Sequence, residues 1–138
     1  MRFENDNDLK REVKAIALFC KTFLAKWTKL GDNDIDFKVT KGDKVCYVEV
    51  KGRNRNLADA YPLPIAARKV VKLCDKKLPA IVIWDCLDGL IYANIYDITS
   101  KGKVGGRKPR EGSYNDIECM LYFNKQTNLF EVKKDLVS

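Results

Sequence analysis

The chain has 138 residues, 46% of them hydrophobic, with 26 Lys and Arg against 19 acids and a net charge of +7. Such a mixture predicts one folded domain, 1–138, with a modest core, and the positive balance suits a polyanionic partner. Histidine is absent, which argues against Cys/His zinc sites, histidine triads and histidine-based nucleases and leaves acid–base chemistry to Asp, Glu, Lys, Tyr or a metal-activated water. Five cysteines, odd in number and widely spaced, read as reduced core thiols rather than a disulfide framework. No apolar run is long enough to span a bilayer and the N-terminus lacks a signal-peptide layout, so a cytoplasmic protein without membrane partners is expected.

Apolar residues Leu9, Val13, Ile16, Cys20, Phe23 and Trp27 recur at helical spacing, and Asp6 or Asp8 can cap the start of that helix. Glu12 lies at the flank of the stripe, within reach of a sheet edge; the alternative is a flank glutamate paired with a lysine of the same helix. Trp27 to Leu30 reads as a short strand before a turn at Gly31–Asp34.

Ile35–Thr40 and Val45–Lys51 alternate as strands, and Gly42-Asp43 between them is a two-residue hairpin turn. If Lys41 pairs with Lys44, Phe37 faces Val48, Asp36 faces Glu49 and Ile35 faces Val50. Opposed residues in an antiparallel pair have Cβ atoms about 5 Å apart, where like charges repel. The other face, Ile35, Phe37, Val39, Cys46, Val48 and Val50, is apolar, so burial fixes the register and the two acids stay together, with Lys51 on their face. A divalent cation between Asp36 and Glu49 would relieve the repulsion, and hard oxygen ligands suit Mg²⁺. The competing reading is an exposed hairpin with ordinary surface charges.

After a polar loop, Gly52-Arg53-Asn-Arg55-Asn56, the Tyr61-Pro-Leu-Pro64 segment introduces a second helix over Ile65–Lys76, with Pro64 at its first position and a basic outer face. Ala80–Cys86 reads as a buried strand, Asp88-Gly89 as a turn and Leu90–Ile98 as an alternating strand. Ser100–Ser113, rich in glycine and basic residues, reads as a mobile loop without P-loop spacing. Cys119–Phe123 and Leu129–Val132 read as a closing C-terminal β-hairpin.

The order of a helix carrying Glu12, then Asp36, then Glu49-Val50-Lys51, then a helix and further strands, resembles the PD-(D/E)XK nuclease superfamily, which includes restriction endonucleases and archaeal Holliday junction resolvases. The order of elements matches over residues 9–98, while the specific signature is Asp36, Glu49 and Lys51; Ile35 stands where the motif often has proline. The Glu-Val-Lys-Gly-Arg segment, the later Tyr-Pro and the distal Gly-Gly-Arg are similar to small phage proteins of this superfamily. The resemblance implies an α/β fold with a restriction endonuclease-like αβββαβ core, a mixed central sheet flanked by helices, and the C-terminal hairpin as an addition.

It further implies a Mg²⁺- or Mn²⁺-dependent endodeoxyribonuclease, a junction- or structure-resolving enzyme of phage DNA repair, recombination or processing, working in the host cytoplasm. In that reading Asp36, Glu49 and the Val50 carbonyl hold the metal. Lys51 positions water or offsets charge on the phosphorane, and Glu12 binds a second metal or orients the water. Arg53 and Arg55 beside the motif, Arg68 and Lys69 on the second helix, and Lys101, Lys103, Arg107, Lys108 and Arg110 in the distal loop are candidate nucleic-acid contacts, each also readable as a solvated charge. Tyr47 and Tyr61 are candidates for stacking on bases, or for simple packing. DNA is the expected partner, with RNA left open, and a homodimer follows by analogy with junction resolvases. Two other readings stand beside this one: a catalytically inactive nucleic-acid-binding module that keeps the nuclease fold, and a protein-interaction factor.

Overall fold

The computed structural model describes residues 6–31, 35–107, 118–125 and 129–134. In chain order the elements are α1 (Asp6–Phe23), β1 (Lys26–Lys29), β2 (Phe37–Lys41), β3 (Lys44–Gly52), β4 (Leu63–Ala66), α2 (Ala67–Asp75), β5 (Ala80–Cys86), β6 (Gly89–Asn94), α3 (Ile95–Ile98), β7 (Lys103–Arg107), β8 (Glu118–Phe123) and β9 (Glu131–Lys134). Six strands form one sheet in the order β1-β2-β3-β5-β6-β9, and β4-β8-β7 form a second. The β3–β5 pair is parallel and its neighbours are antiparallel, so the main sheet is mixed.

The amphipathic pattern of α1 explains its place. Ala15, Ile16, Phe19 and Cys20 are buried against Phe37, Val39, Val48, Val50, Ile83 and Leu90 on one face of the main sheet. The helix stops where Leu24 takes a left-handed φ of 54° and the Ala25 amide donates back to the Cys20 carbonyl at 2.9 Å. Trp27 therefore leaves the helical stripe and stands on β1, edge-on to the Phe37 ring. On the opposite face of the sheet, Val82 and Trp84 of β5 pack with Leu63 and Ile65 of β4, Leu73 of α2 and Phe123 of β8.

The hairpin register is the one the turn predicts: Lys41 pairs with Lys44 and Phe37 with Val48. Gly42 supplies the left-handed conformation, φ 62°, that the two-residue turn needs. The ladder stops at Phe37, however, and the chain bends at Asp36. Ile35 consequently does not face Val50 beneath α1 but joins the core on the α2 side.

Four stretches differ from the sequence reading. Leu63–Ala66 is a strand rather than the start of the second helix, because Leu63 and Ile65 alternate into the core while the backbone pairs with Leu121 and Phe123 of β8. Pro64 is tolerated on this edge strand, and its carbonyl accepts the indole N–H of buried Trp84 at 2.7 Å. Within the expected distal loop, Lys103–Arg107 is strand β7, paired with β8. Cys119–Phe123 and Leu129–Val132 do not close a hairpin: β8 belongs to the second sheet, and β9 pairs with β6 at the edge of the main one. The strand expected over Leu90–Ile98 gives way to α3 after Asn94, whose side chain caps that short helix through the Tyr96 amide.

All five cysteines are free thiols, and burial pushes Cys46 and Cys86 up to about 11, which keeps them protonated and unreactive. Among the described residues no helix is long and apolar enough to cross a membrane.

Candidate active site

Alternation along β3 places Tyr47, Glu49 and Lys51 on the face away from α1, beside Ala80, Val82 and Trp84 of the parallel neighbour β5. The amides of Tyr47 and Arg53 point toward β5, donating to Pro79 and Asp85 carbonyls at 2.9 Å. The Val50 amide, of opposite parity, points toward β2. Since that strand has ended, the amide donates instead to Asp36 Oδ2 at 2.9 Å. An extended residue directs its N–H and C=O to the same edge, so the Val50 carbonyl lies on the Asp36 side as well.

Asp36 and Glu49 are 2% and 4% exposed, and Glu12 of α1 is 8% exposed. Lys29 of β1 reaches between two of these acids, its Nζ 3.8 Å from Asp36 Oδ1 and 3.9 Å from Glu12 Oε2. Lys69 of α2 approaches from the other side, with Nζ 2.8 Å from Glu49 Oε1. That contact is close, but its angle does not align as a hydrogen bond, and neither Glu49 oxygen has an aligned donor among the described residues. Burial first, and then the neighbouring Asp36 charge, push the Glu49 carboxyl up to about 7 against the opposing pull of Lys69. The site is thus a pair of adjoining buried carboxylates with a third at its margin, held by lysines and short of directional donors.

Such a donor set fits a hard divalent cation, which takes oxygen ligands and is drawn to two carboxylates that repel each other. Among the described residues no three acids or thiols converge as a ready-made cage; Mg²⁺ commonly takes only one or two carboxylates.

A profile for the family described as "Phage putative PDDEXK endonuclease" matches residues 1–132. The chain belongs to this family. No curated protein matches it in sequence. Among solved structures it is similar to Hjc of Archaeoglobus fulgidus, a Holliday junction resolvase from an archaeal hyperthermophile, with a TM-score of 0.54 and 13% identity over 84% of this chain and 83% of that one. At that identity the likeness speaks for the fold, which is restriction endonuclease-like.

In this PDDEXK chain the four residues expected at the centre are brought to one region, Glu12 from α1 and Asp36, Glu49 and Lys51 from the hairpin. Lys51 is half-buried beside Trp84. The expected nucleic-acid contacts fare unevenly. Arg53 is drawn inward: its Nε donates to the Ala60 carbonyl at 2.9 Å and Nη2 to the Pro62 carbonyl at 3.2 Å, which anchors the following loop. Lys69 turns toward Glu49 instead of solvent. Arg55, Arg68, Lys101 and Lys103 are exposed. The Arg107 backbone lies in β7 with its side chain outside the described residues, and Lys108 and Arg110 lie outside them altogether. Tyr47 and Tyr61 pack against the core, Tyr61 edge-on to Phe130.

Two features escape a sequence reading. Lys29 touches two acids because β1 sits antiparallel to β2 with Lys29 opposite Phe37, and a four-residue strand has too little period to show this. At the end of β5, Arg11 of α1 donates to the Asp85 side chain and carbonyl at 3.0 and 2.9 Å. Its guanidinium lies where a Cβ on Gly52 would touch it at 3.0 Å. Arg11 also lines a cleft of about 330 Å³ with Lys10, Lys14 and Leu87, so basic charge continues past the end of β3.

Proposed function

We propose that this chain is a Mg²⁺- or Mn²⁺-dependent endodeoxyribonuclease that hydrolyses phosphodiester bonds, acting on branched or otherwise structured DNA in phage DNA repair, recombination or processing. One observation carries the reading: on a PDDEXK fold, Asp36 and Glu49 are buried side by side, and Glu49 lacks an aligned donor. Charged groups are left in that condition at a cost, and a functional cation relieves it. The solved neighbour is a Holliday junction resolvase, which makes a four-way DNA the first substrate to try.

In this mechanism Asp36, Glu49 and the Val50 carbonyl hold the cation, which when bound polarises a phosphodiester oxygen and acidifies water. Lys51, on the Glu49 face of β3, holds the attacking water or offsets charge that develops on the phosphorane. Glu12 orients that water or completes a second cation position, with Lys29 keeping its carboxylate beside Asp36. Arg55, Arg68, Lys101 and Lys103 grip the backbone without reading sequence. A homodimer follows by analogy with junction resolvases and is tested by sedimentation.

The decisive variants are Asp36→Ala, Glu49→Ala and Lys51→Ala. Each is expected to abolish Mn²⁺-dependent cleavage while retaining the wild-type circular dichroism spectrum. Continued cutting by all three would eliminate the site. Salt-dependent DNA binding with no cleavage under any divalent metal would identify a non-catalytic binding module instead.

A further inference from the structure

Lys69 occupies an unusual position for a residue on the basic face of a helix. Its side chain is only 16% exposed and that of Glu49 only 5%, with Nζ 2.8 Å from Oε1. A lysine ammonium is strongly hydrated and its stem carries much rotamer freedom, so drawing it into such a site requires a compensating attraction. The attraction is the combined field of two carboxylates, Glu49 and the adjoining Asp36, of which Asp36 already accepts the Val50 amide and lies near Lys29.

We propose that Lys69 is an internal counter-cation that holds Glu49 in the metal-free protein and competes with the divalent metal for that carboxylate. The inference rests on the reading of Asp36 and Glu49 as metal ligands. Its chemistry is that of two cations and one oxygen. A Mg²⁺ or Mn²⁺ ion bonds a carboxylate oxygen at about 2.1 Å, closer than the 2.8 Å at which the ammonium stands from Oε1. Both cations draw on one carboxylate and repel each other, so metal entry at Glu49 weakens the Nζ contact and the ammonium opposes the metal. The contact is suited to exchange because it is close without being an aligned hydrogen bond, and no second donor holds either Glu49 oxygen among the described residues. Once loosened, the ammonium on its flexible stem can pair with a substrate phosphate, the anion that arrives with DNA. Lys69 therefore lowers metal affinity in the absence of DNA and links metal entry to substrate arrival. It acts through Glu49 and is a positioning residue.

The test is Mn²⁺ binding to the full chain without DNA, followed by the electron paramagnetic resonance signal of free Mn²⁺, together with melting in EDTA and in excess Mn²⁺. Lys69→Met is expected to bind Mn²⁺ about tenfold more tightly than wild type, to melt lower in EDTA and to gain more from added Mn²⁺. Lys69→Gln, nearer in polarity, guards against a folding defect and is expected to move in the same direction. Lys69→Arg keeps the charge and is expected to retain the weaker wild-type affinity. Unchanged or weaker binding by Lys69→Met and Lys69→Gln overturns the inference, since Lys69 then supports the metal site instead of competing for it. Tightening in Lys69→Arg equal to that in Lys69→Met overturns it as well, because charge is then not the cause. The metal site itself is checked separately by Glu49→Gln, which is expected to lose Mn²⁺ binding. Wild-type protein that binds no Mn²⁺ removes the site and this inference with it.

Discussion

Glu49 is buried, beside Asp36 and in contact with Lys69, and its protonation is where these influences become measurable. Its carboxyl is pushed up to about 7 from an ordinary 4.5 by burial and then by the Asp36 charge. A raised folded-state value means that the native protein holds the proton more tightly than the unfolded chain. The resulting stability is complete below 4.5 and is lost as pH rises through about 7. Metal-free protein is therefore expected to lose on the order of 1–3 kcal/mol across this window. Glu49→Gln is expected to flatten that loss in urea denaturation series run in EDTA; equal slopes for the two proteins would count against the assignment. At this scale the carboxylate pair is legible in the sequence, because the turn register brings Asp36 to the level of Glu49 and Val50, although the ladder itself ends at Phe37. The lysines are not. Lys69 belongs to a helix face that reads as solvated, and only the buried Glu49 carboxylate beside α2 turns it inward.

At the scale of elements, the hairpin depends on the turn that sets its register. Gly42 has φ 62° with open space where a Cβ would stand, so Gly42→Ala tests backbone conformation alone. It is expected to cost about 1–2 kcal/mol of unfolding free energy, with Gly42→Asn costing less because asparagine tolerates the left-handed region. Neutral behaviour of both variants in chemical denaturation would show that the turn is not formed as described. Strong periodicity made α1, β3 and β5 readable, and β5 runs over the span its apolar pattern predicts, Ala80–Cys86. Short elements were not readable. Four residues of β4 with a proline among them look like a helix entrance, and the glycines of β7 look like a loop. In both cases the hydrogen-bonding partner is β8, far away in sequence.

At the scale of the molecule, a mixed sheet covered by α1 on one face and by α2, α3 and a second sheet on the other ends at an edge where buried acids, lysines and a continuing basic cleft meet. The main fold was legible from the order of its elements. The division of the last strands between two sheets was not, since alternation reveals which residues are buried but not which strand they join. The central claim is that this edge cuts DNA with the help of a divalent cation. Its most direct test is incubation of the wild-type protein with linear, flapped and four-way DNAs, with Mn²⁺ and with EDTA, beside the Glu49→Ala protein. The expected result is cleavage by wild type in Mn²⁺ alone, strongest on a branched DNA, and none by Glu49→Ala. Cleavage that persists in EDTA, or that Glu49→Ala performs as well as wild type, would contradict it.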